Sequence, residues 1–187
     1  PTDNGITAAA KYYVWNALSA LDAPREYFID VHGGKLHFIA PTAEGSGEIV
    51  ISTAMAPLSS SREAAAADPA ADSRDSHVGF GVFELTGAKY VTLYNLAVEA
   101  SRSDGVTCTD CSHVTFSDLV VKNIGRHGIV VVDGDHVVVT NSRVSHTGGH
   151  AIDLEGGDKH TLSAAFHVAT NNIVHHWERL CLTYSAG

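Results

Sequence analysis

The sequence has little of what marks membrane-spanning or nucleic-acid-binding proteins. No apolar stretch approaches the ~20 residues that cross a bilayer, and the longest aliphatic run, Gly128 to Val132, is long enough for only one strand. Basic side chains are scarce, because 12 Lys and Arg stand against 21 Asp and Glu, for a net charge of −9. Such a chain repels a phosphate backbone unless a local basic patch is present, and none is visible. We therefore expect neither a membrane span nor a nucleic-acid partner.

Cysteine is rare as well. Cys108 and Cys111 form a C-x-x-C pair and Cys181 is left over, which leaves open a local disulfide plus a free thiol, or three buried thiols. A zinc site would need a second ligand pair at suitable spacing, and that pair is absent. The sequence begins at Pro1 without an initiator Met or a signal-like apolar region. We therefore expect a processed product or a piece of a longer polypeptide.

What the sequence does contain is glycine, with 17 residues, and an internal repeat. Segments 82–103, 104–126 and 127–149 align with one another, and a fourth copy begins at His150. Three sets of equivalent positions recur 23 residues apart: Gly105, Gly128 and Ala151; Val91, Val114 and Val137; Asn95, Asp118 and Asn141. The fourth copy is interrupted by GGDKHTLS and resumes at 167–176 with a spacing of 30. A repeat of this length is typical of stacked solenoids.

Each copy contains short alternating apolar runs separated by Gly, Asn, Asp and Ser, which indicates strands and turns. One copy cannot bury its apolar face alone, so we predict an all-β fold, a parallel β-helix in which equivalent strands of successive copies pair. Alternation points two series of side chains into the core: Val106, Cys108, Ile129, Val131, Ile152 and Leu154; and Val114, Phe116, Val137 and Val139. Val130 is turned outward, so a charge there is expected to be tolerated better than a charge at Val131.

Three regions are expected along the chain. Residues 1–53 would hold a short helix from Trp15 to Leu21, a hairpin with strands at 27–29 and 35–39, and a first strand, together capping the solenoid. Residues 54–77 are rich in Ala and Ser and predict a surface loop. Residues 78–187 would form the coils. Within them, a polar ladder at one turn is expected to be structural: Asn95, Asp118, Asn141 and Asn171.

Several segments together resemble a known family. These are NALSALDAPREYFID (16–30), LHFIAP (36–41), VFELTGAKYVTLYNLAVEASRSDGV (82–106), GGHAIDLEGGDKHTL (148–162) and HVATNNIVHH (167–176). The series resembles the right-handed parallel β-helix proteins of the large bacterial and algal carbohydrate-active group. That resemblance implies an extracellular or cell-surface protein that acts on a polysaccharide or glycan. The group includes glycoside hydrolases, polysaccharide lyases and members without an assigned activity, so the reaction is not implied.

The resemblance also implies coils beyond the position matching Tyr184. We therefore expect either a longer polypeptide or a partner subunit, including a second copy of this chain, at that end.

The repeat register places Asp104, His127 and His150 on one line, with neighbours ~5 Å apart. A carboxylate beside two imidazoles suits proton transfer or cation binding. The anionic neighbour is expected to favour the charged imidazole and so place its titration near neutral pH. The alternative interpretation is a polar surface stack at a turn.

Asp153 and Glu155 alternate with inward residues and should project from one outer face, with Cα atoms ~6.6–7 Å apart. Such a pair suits glycoside hydrolysis, with one carboxyl as acid and the other as base or nucleophile. Asp158, in the interruption, would orient them or help bind a divalent cation such as calcium as a cofactor. The alternative is a solvated strand face, although the equivalent positions in the preceding copy are Val130 and Val132. These outward valines suggest a face that is covered by the 54–77 loop, by a sugar or by another subunit.

Other side chains offer contacts to a substrate. Trp177 could stack on a pyranose ring, while Arg126, Arg143 and His146 lie in the coils where a lyase would need a base and a cation. Three functions follow: a carbohydrate-active enzyme that cleaves glycosidic bonds, a structural subunit of an extracellular filament, wall or surface coat, and a non-catalytic glycan-binding module.

Overall fold

The computed structural model describes residues 16–40, 50–52 and 81–179. The predictions that fall on other residues, namely the 54–77 loop, the Trp15 end of the first helix and the state of Cys181, lie outside this range. The chain divides into two compact units, 1–49 and 50–187.

The first unit contains the predicted hairpin. Strand β1 (Tyr27–Asp30) pairs antiparallel with β2 (Lys35–Phe38), with Tyr27 opposite Phe38. The Asp30 carboxylate accepts the Gly33 N–H at 2.8 Å, and Gly34 adopts φ 62°, a left-handed conformation that glycine reaches without strain.

The helix expected before the hairpin is shorter than predicted. Within the described residues it is a single 3-10 turn, Leu18–Ala20. The reason lies at Asn16, which has φ 54° and therefore cannot continue a right-handed helix. Its side-chain amide instead bonds to the backbone of Ile29, accepting the N–H at 2.7 Å and donating to the carbonyl at 3.1 Å.

Residues 81–179 of the second unit form four successive coils of three strands each. The first coil contains β3 (Gly81–Thr86), β4 (Thr92–Tyr94) and β5 (Ala97–Ser101), and the second contains β6 (Asp104–Thr109), β7 (Thr115–Ser117) and β8 (Val120–Ile124). The third contains β9 (Ile129–Val132), β10 (Val138–Thr140) and β11 (Arg143–Thr147), and the fourth β12 (Ile152–Glu155), β13 (Val168–Thr170) and β14 (Ile173–His175).

Equivalent strands of the coils pair in parallel and build three four-stranded sheets. We name them sheet 1 (β3, β6, β9, β12), sheet 2 (β4, β7, β10, β13) and sheet 3 (β5, β8, β11, β14). The register confirms the repeat, since Val106 lies opposite Ile129, and Ile129 opposite Ile152. It also confirms the longer spacing after the interruption, because Val138 pairs with Val168.

The core lies between the three sheets and follows the predicted alternation. Both predicted apolar series line it, and Val106, Ile129, Val131 and Phe116 are fully buried while Ile152 and Leu154 pack against them. Full burial of one large apolar side chain contributes roughly 1.5–3 kcal/mol. These ladders are therefore the main source of stability in the second unit. Cys108 and Cys111 lie in this core and are joined by a disulfide.

The predicted polar ladder is present at the turn between sheets 2 and 3. Its four members have left-handed φ angles of 54°, 56°, 52° and 54°, in the order Asn95, Asp118, Asn141 and Asn171. Asn and Asp tolerate this conformation better than other non-glycine residues. Asn171 donates its amide to Asn141 at 2.6 Å, so the ladder ties neighbouring coils together.

The outer side of sheet 1 differs from the sequence-based expectation. Val130 is 1% exposed although it lies outside the core cluster that contains its neighbour Val131. The predicted tolerance of a charge at Val130 is therefore wrong, because the chain itself covers this face as well as the core face. The prediction that the outward valines lie on a covered face is correct, and no second subunit is needed to bury them. Across the described residues, no helix is both long and apolar enough to span a membrane.

Candidate functional site

A vertical column of three polar residues stands at the edge of sheet 1 where β6, β9 and β12 begin. The His127 backbone N–H donates to Asp104 Oδ1 at 2.9 Å. One coil further on, the His150 backbone N–H donates to His127 Nδ1 at 2.9 Å. The side chains of Asp104 and His127 thus each bind the backbone of the next coil. Asp104, His127 and His150 are neighbours as the register predicts, and their catalytic roles stay predictions.

Burial decides the character of this column. Asp104 is 0% exposed, and its carboxylate lies 4.0 Å from Arg126 Nη1. The interpretation of the column as a surface stack is therefore wrong at Asp104, because the neighbouring coils enclose this carboxylate. It is a buried acceptor that is paired with backbone and faces a guanidinium.

The pKa of His127 shifts in the direction opposite to the one expected from its anionic neighbour. Burial lowers its pKa below the ordinary value of 6.5, and this outweighs the negative charge of Asp104, which acts in the opposite direction. Arg126 and His150 lower the pKa further, while Asp153 raises it. Because Nδ1 accepts the His150 N–H, the neutral ring carries its proton on Nε2. His127 is a neutral acceptor here and not a charged imidazole.

The position of the His127 ring depends on a glycine. A Cβ atom added to Gly149 would lie 2.7 Å from both Cε1 and Nδ1 of that ring. Side-chain carbons do not approach each other this closely, so any larger residue would displace the imidazole from the column.

His150 lies between two carboxylates. Its Nδ1 is 3.1 Å from Asp153 Oδ2, and its Nε2 is 3.9 Å from Glu178 Oε1. Glu178 is 8% exposed, and among the described residues its Oε1 has no hydrogen-bond partner. The two imidazoles are in edge contact, with ring centroids 4.9 Å apart. The cluster therefore combines a buried acid, a partly exposed imidazole and a second acid on the strand.

Glu155 lies at the other end of β12 and lines a cleft of about 480 Å³. Asp153 is not part of the cleft lining, so the two carboxylates share a strand face but have different surroundings. Besides Leu154 and Glu155, the cleft is bounded by Asp133 and by the start of the interruption: Gly156, Gly157, Asp158, Lys159 and His160. Asp158 Oδ1 accepts the N–H groups of His160 at 2.7 Å and Thr161 at 3.4 Å, so this carboxylate closes a turn at the cleft wall.

The family comparison agrees with this architecture. The family model described as a right handed beta helix region matches residues 72–184, more than half of the chain. The chain belongs to this β-helix family. Comparisons with curated proteins and with solved structures gave no significant match. The family match thus supports the β-helix and leaves its reaction open.

The remaining predicted contacts lie away from the β-helix cleft. Arg143 is exposed at the start of β11. His146 belongs to a three-imidazole group, parallel to His176 with centroids 4.8 Å apart and edge-on to His175. Desolvation and the neighbouring charges of His176, Arg179 and His175 lower the pKa of His146. Trp177 follows β14 and is 40% exposed, which leaves part of the indole open to a ligand.

Two features of the β-helix were not predicted from the sequence. The first is Glu178, which follows the irregular fourth coil and therefore has no equivalent residue in another copy that would have indicated a role in the site. The other feature is the group His113, Asp135 and His136, whose potential ligand atoms all lie within 4.8 Å of one another. Here a signal was available, because Ser112-His113 and Asp135-His136 are 23 residues apart.

Proposed function

We propose that this β-helix is an extracellular carbohydrate-active protein that cleaves glycosidic bonds of a polysaccharide. The observation that supports it is the placement of His150 between Asp153 and Glu178, on the strand that carries Glu155 into an open cleft. An elongated solenoid face suits an extended polymer. The Cys108–Cys111 disulfide is typical of proteins outside the reducing cytosol.

Glycoside hydrolysis needs one carboxyl that protonates the leaving oxygen and one carboxylate that activates water or attacks the sugar. Asp153, in contact with His150 at 3.1 Å, is the proposed acid, because this imidazole can return a proton to it. Glu155, at the cleft, is the proposed base or nucleophile. In the base role it removes a proton from the water that adds to the anomeric carbon, while Asp153 protonates the departing oxygen.

The test compares Asp153→Asn and Glu155→Gln with the unaltered chain on a panel of polysaccharides, measuring newly formed reducing ends. Each amide should reduce turnover by at least ~10²-fold, with circular dichroism and melting curves unchanged. Glu99→Gln is the matched control, because Glu99 is an exposed carboxylate on sheet 3 that pairs with Lys122 at 2.9 Å. Turnover that survives both amide substitutions would reject this assignment.

A lyase would leave a different product. Elimination gives an unsaturated sugar with its own ultraviolet absorbance, and it needs a cation to neutralise the uronate. Arg126, beside Asp104, is the candidate for that role. An unsaturated product that disappears in Arg126→Gln would replace hydrolysis by elimination as the reaction of this site.

A glycan-binding role without catalysis is favoured by one observation, the partly exposed indole of Trp177. In that case a glycan array would give binding that is lost in Trp177→Ala and kept in both amide variants, with no turnover.

A structural role is favoured by the exposed apolar side chains Val168 and Ile173 on β13 and β14, the outermost described strands of sheets 2 and 3. Electron microscopy would then reveal ordered assemblies at high protein concentration.

A further inference from the structure

We propose that His113, Asp135 and His136 form a binding site for a divalent transition-metal ion, with zinc and copper as the best matches. The site lies on the turn between sheets 1 and 2 and is independent of the proposed glycosidase function. Two imidazoles and one carboxylate are a ligand set that suits Zn²⁺ and Cu²⁺, whereas calcium and magnesium prefer oxygen ligands alone.

The repeat itself builds the site. Ser112 and Asp135 are bridge partners in adjacent coils, so the residues that follow them, His113 and His136, stack directly. Both histidines have left-handed backbones, with φ 55° and 53°, which turn the two rings to the same side. Their centroids are 4.7 Å apart and their planes differ by 14°.

Aromatic neighbours hold this pair from both sides. Tyr90 stacks on His113 at 4.9 Å, and Phe166 stacks on His136 at 5.1 Å. Both have the same left-handed φ, 55° and 56°, so the four rings form one ladder along the coils. The ladder keeps the two imidazoles beside each other before any ligand arrives, and this preorganisation reduces the entropy lost on binding.

Two hydrogen bonds converge on one oxygen of Asp135, and a third nitrogen lies near it. His136 Nδ1 lies 2.7 Å from Asp135 Oδ1, and Ser112 Oγ donates to the same atom at 3.0 Å. His113 Nδ1 is 3.6 Å from that oxygen and 2.9 Å from Ser112 Oγ. Both imidazoles therefore direct Nδ1 at one carboxylate oxygen. These are the atoms from which a metal ion would displace protons.

The spacing fits a small coordination sphere. Zinc binds imidazole nitrogen and carboxylate oxygen at about 2.0–2.2 Å, which places tetrahedral ligand atoms about 3.4 Å apart. The two observed separations from Asp135 Oδ1, 2.7 and 3.6 Å, lie on either side of that value. Closing on the ion requires the rings to turn about χ2, a broad torsion in histidine. The site is about half exposed, so water completes the coordination.

A bound ion would join the second and third coils beside the cleft, because Asp133 of the cleft wall is only two residues before Asp135. The ion would bind the folded chain and not the unfolded one. It should therefore raise the melting temperature with the logarithm of its concentration once that concentration exceeds the dissociation constant.

The test is calorimetric titration of the full chain with zinc chloride alone, supported by electron paramagnetic resonance of the copper-loaded protein. We expect one zinc per chain and nitrogen couplings from two imidazoles. His113→Phe and His136→Phe keep the aromatic ladder and remove one ligand each. Each should weaken zinc binding by more than the ~10-fold loss typical of an outer-shell partner.

Asp135→Asn removes the charged ligand but keeps the size of the side chain at the turn, and it should weaken zinc binding as well. His175→Phe is the matched control, because it removes one imidazole from the other histidine group, on sheet 3, and should leave zinc binding unchanged. Zinc affinity that is unaltered in His113→Phe, His136→Phe and Asp135→Asn would overturn the proposal. A loss of binding in His175→Phe, or no zinc uptake by the unaltered chain at millimolar concentration, would overturn it as well.

Discussion

Removing the charge of Asp104 tests the buried column that the candidate site is built on. Asp104 accepts the His127 N–H at 2.9 Å, is 0% exposed and faces Arg126. Asp104→Asn keeps an oxygen acceptor in nearly the same place but is neutral. Asp104→Ala removes the acceptor as well and leaves the His127 N–H without its partner.

The expected effects differ between the two variants. A hydrogen bond to a charged group contributes about 1.5–3 kcal/mol and is roughly twice as strong as a neutral one. Asp104→Asn should therefore reduce the free energy of unfolding by about 1 kcal/mol, and Asp104→Ala by about 2–3 kcal/mol. Both variants remove the negative charge that raises the pKa of His127, so in both the pKa of His127 should fall further.

Urea denaturation at neutral pH gives the stabilities, and an NMR titration of the imidazole protons gives the pKa of His127. Asp110→Asn is the control, because Asp110 is an exposed carboxylate just after the same strand and should change neither quantity. A His127 pKa that rises, or stays constant, in both Asp104 variants would refute the column. So would equal stability of Asp104→Ala and the unaltered chain.

Two further predictions follow from burial. Because the pKa of folded His127 lies below 6.5, the unfolded chain takes up a proton first as pH falls. The contribution of His127 to stability is thus complete above about pH 6.5 and declines below it. His127→Asn keeps an acceptor for the His150 N–H and should flatten this decline in denaturation curves measured from pH 8 to 5. An unchanged decline would contradict the lowered pKa. Val130→Asp and Val131→Asp should each reduce the free energy of unfolding by more than about 3 kcal/mol. Val120→Asp, at a position that is 39% exposed, should reduce it far less. A well-folded Val130→Asp in thermal melts would show that the outer face of sheet 1 is open.

The sequence determined the solenoid because a repeat makes neighbours in space predictable by addition. Residues 23 apart become vertical partners, and the same rule located the break in the fourth coil, where Val168 pairs with Val138. For the same reason the sequence brought Asp104, His127 and His150 together. It was also sufficient for the inward side chains, since strand alternation assigns Val131 to the core.

Only the tertiary structure decided the surroundings of these residues, because burial depends on everything that packs around a site. The repeat predicted a charged imidazole at His127 from its anionic neighbour, whereas desolvation by the enclosing coils outweighs that charge. Val130 points away from the core by alternation and is nevertheless covered. Glu178 reaches His150 from a segment that follows the irregular fourth coil. No periodicity relates Glu178 to His150, and only the folded backbone brings these two residues together.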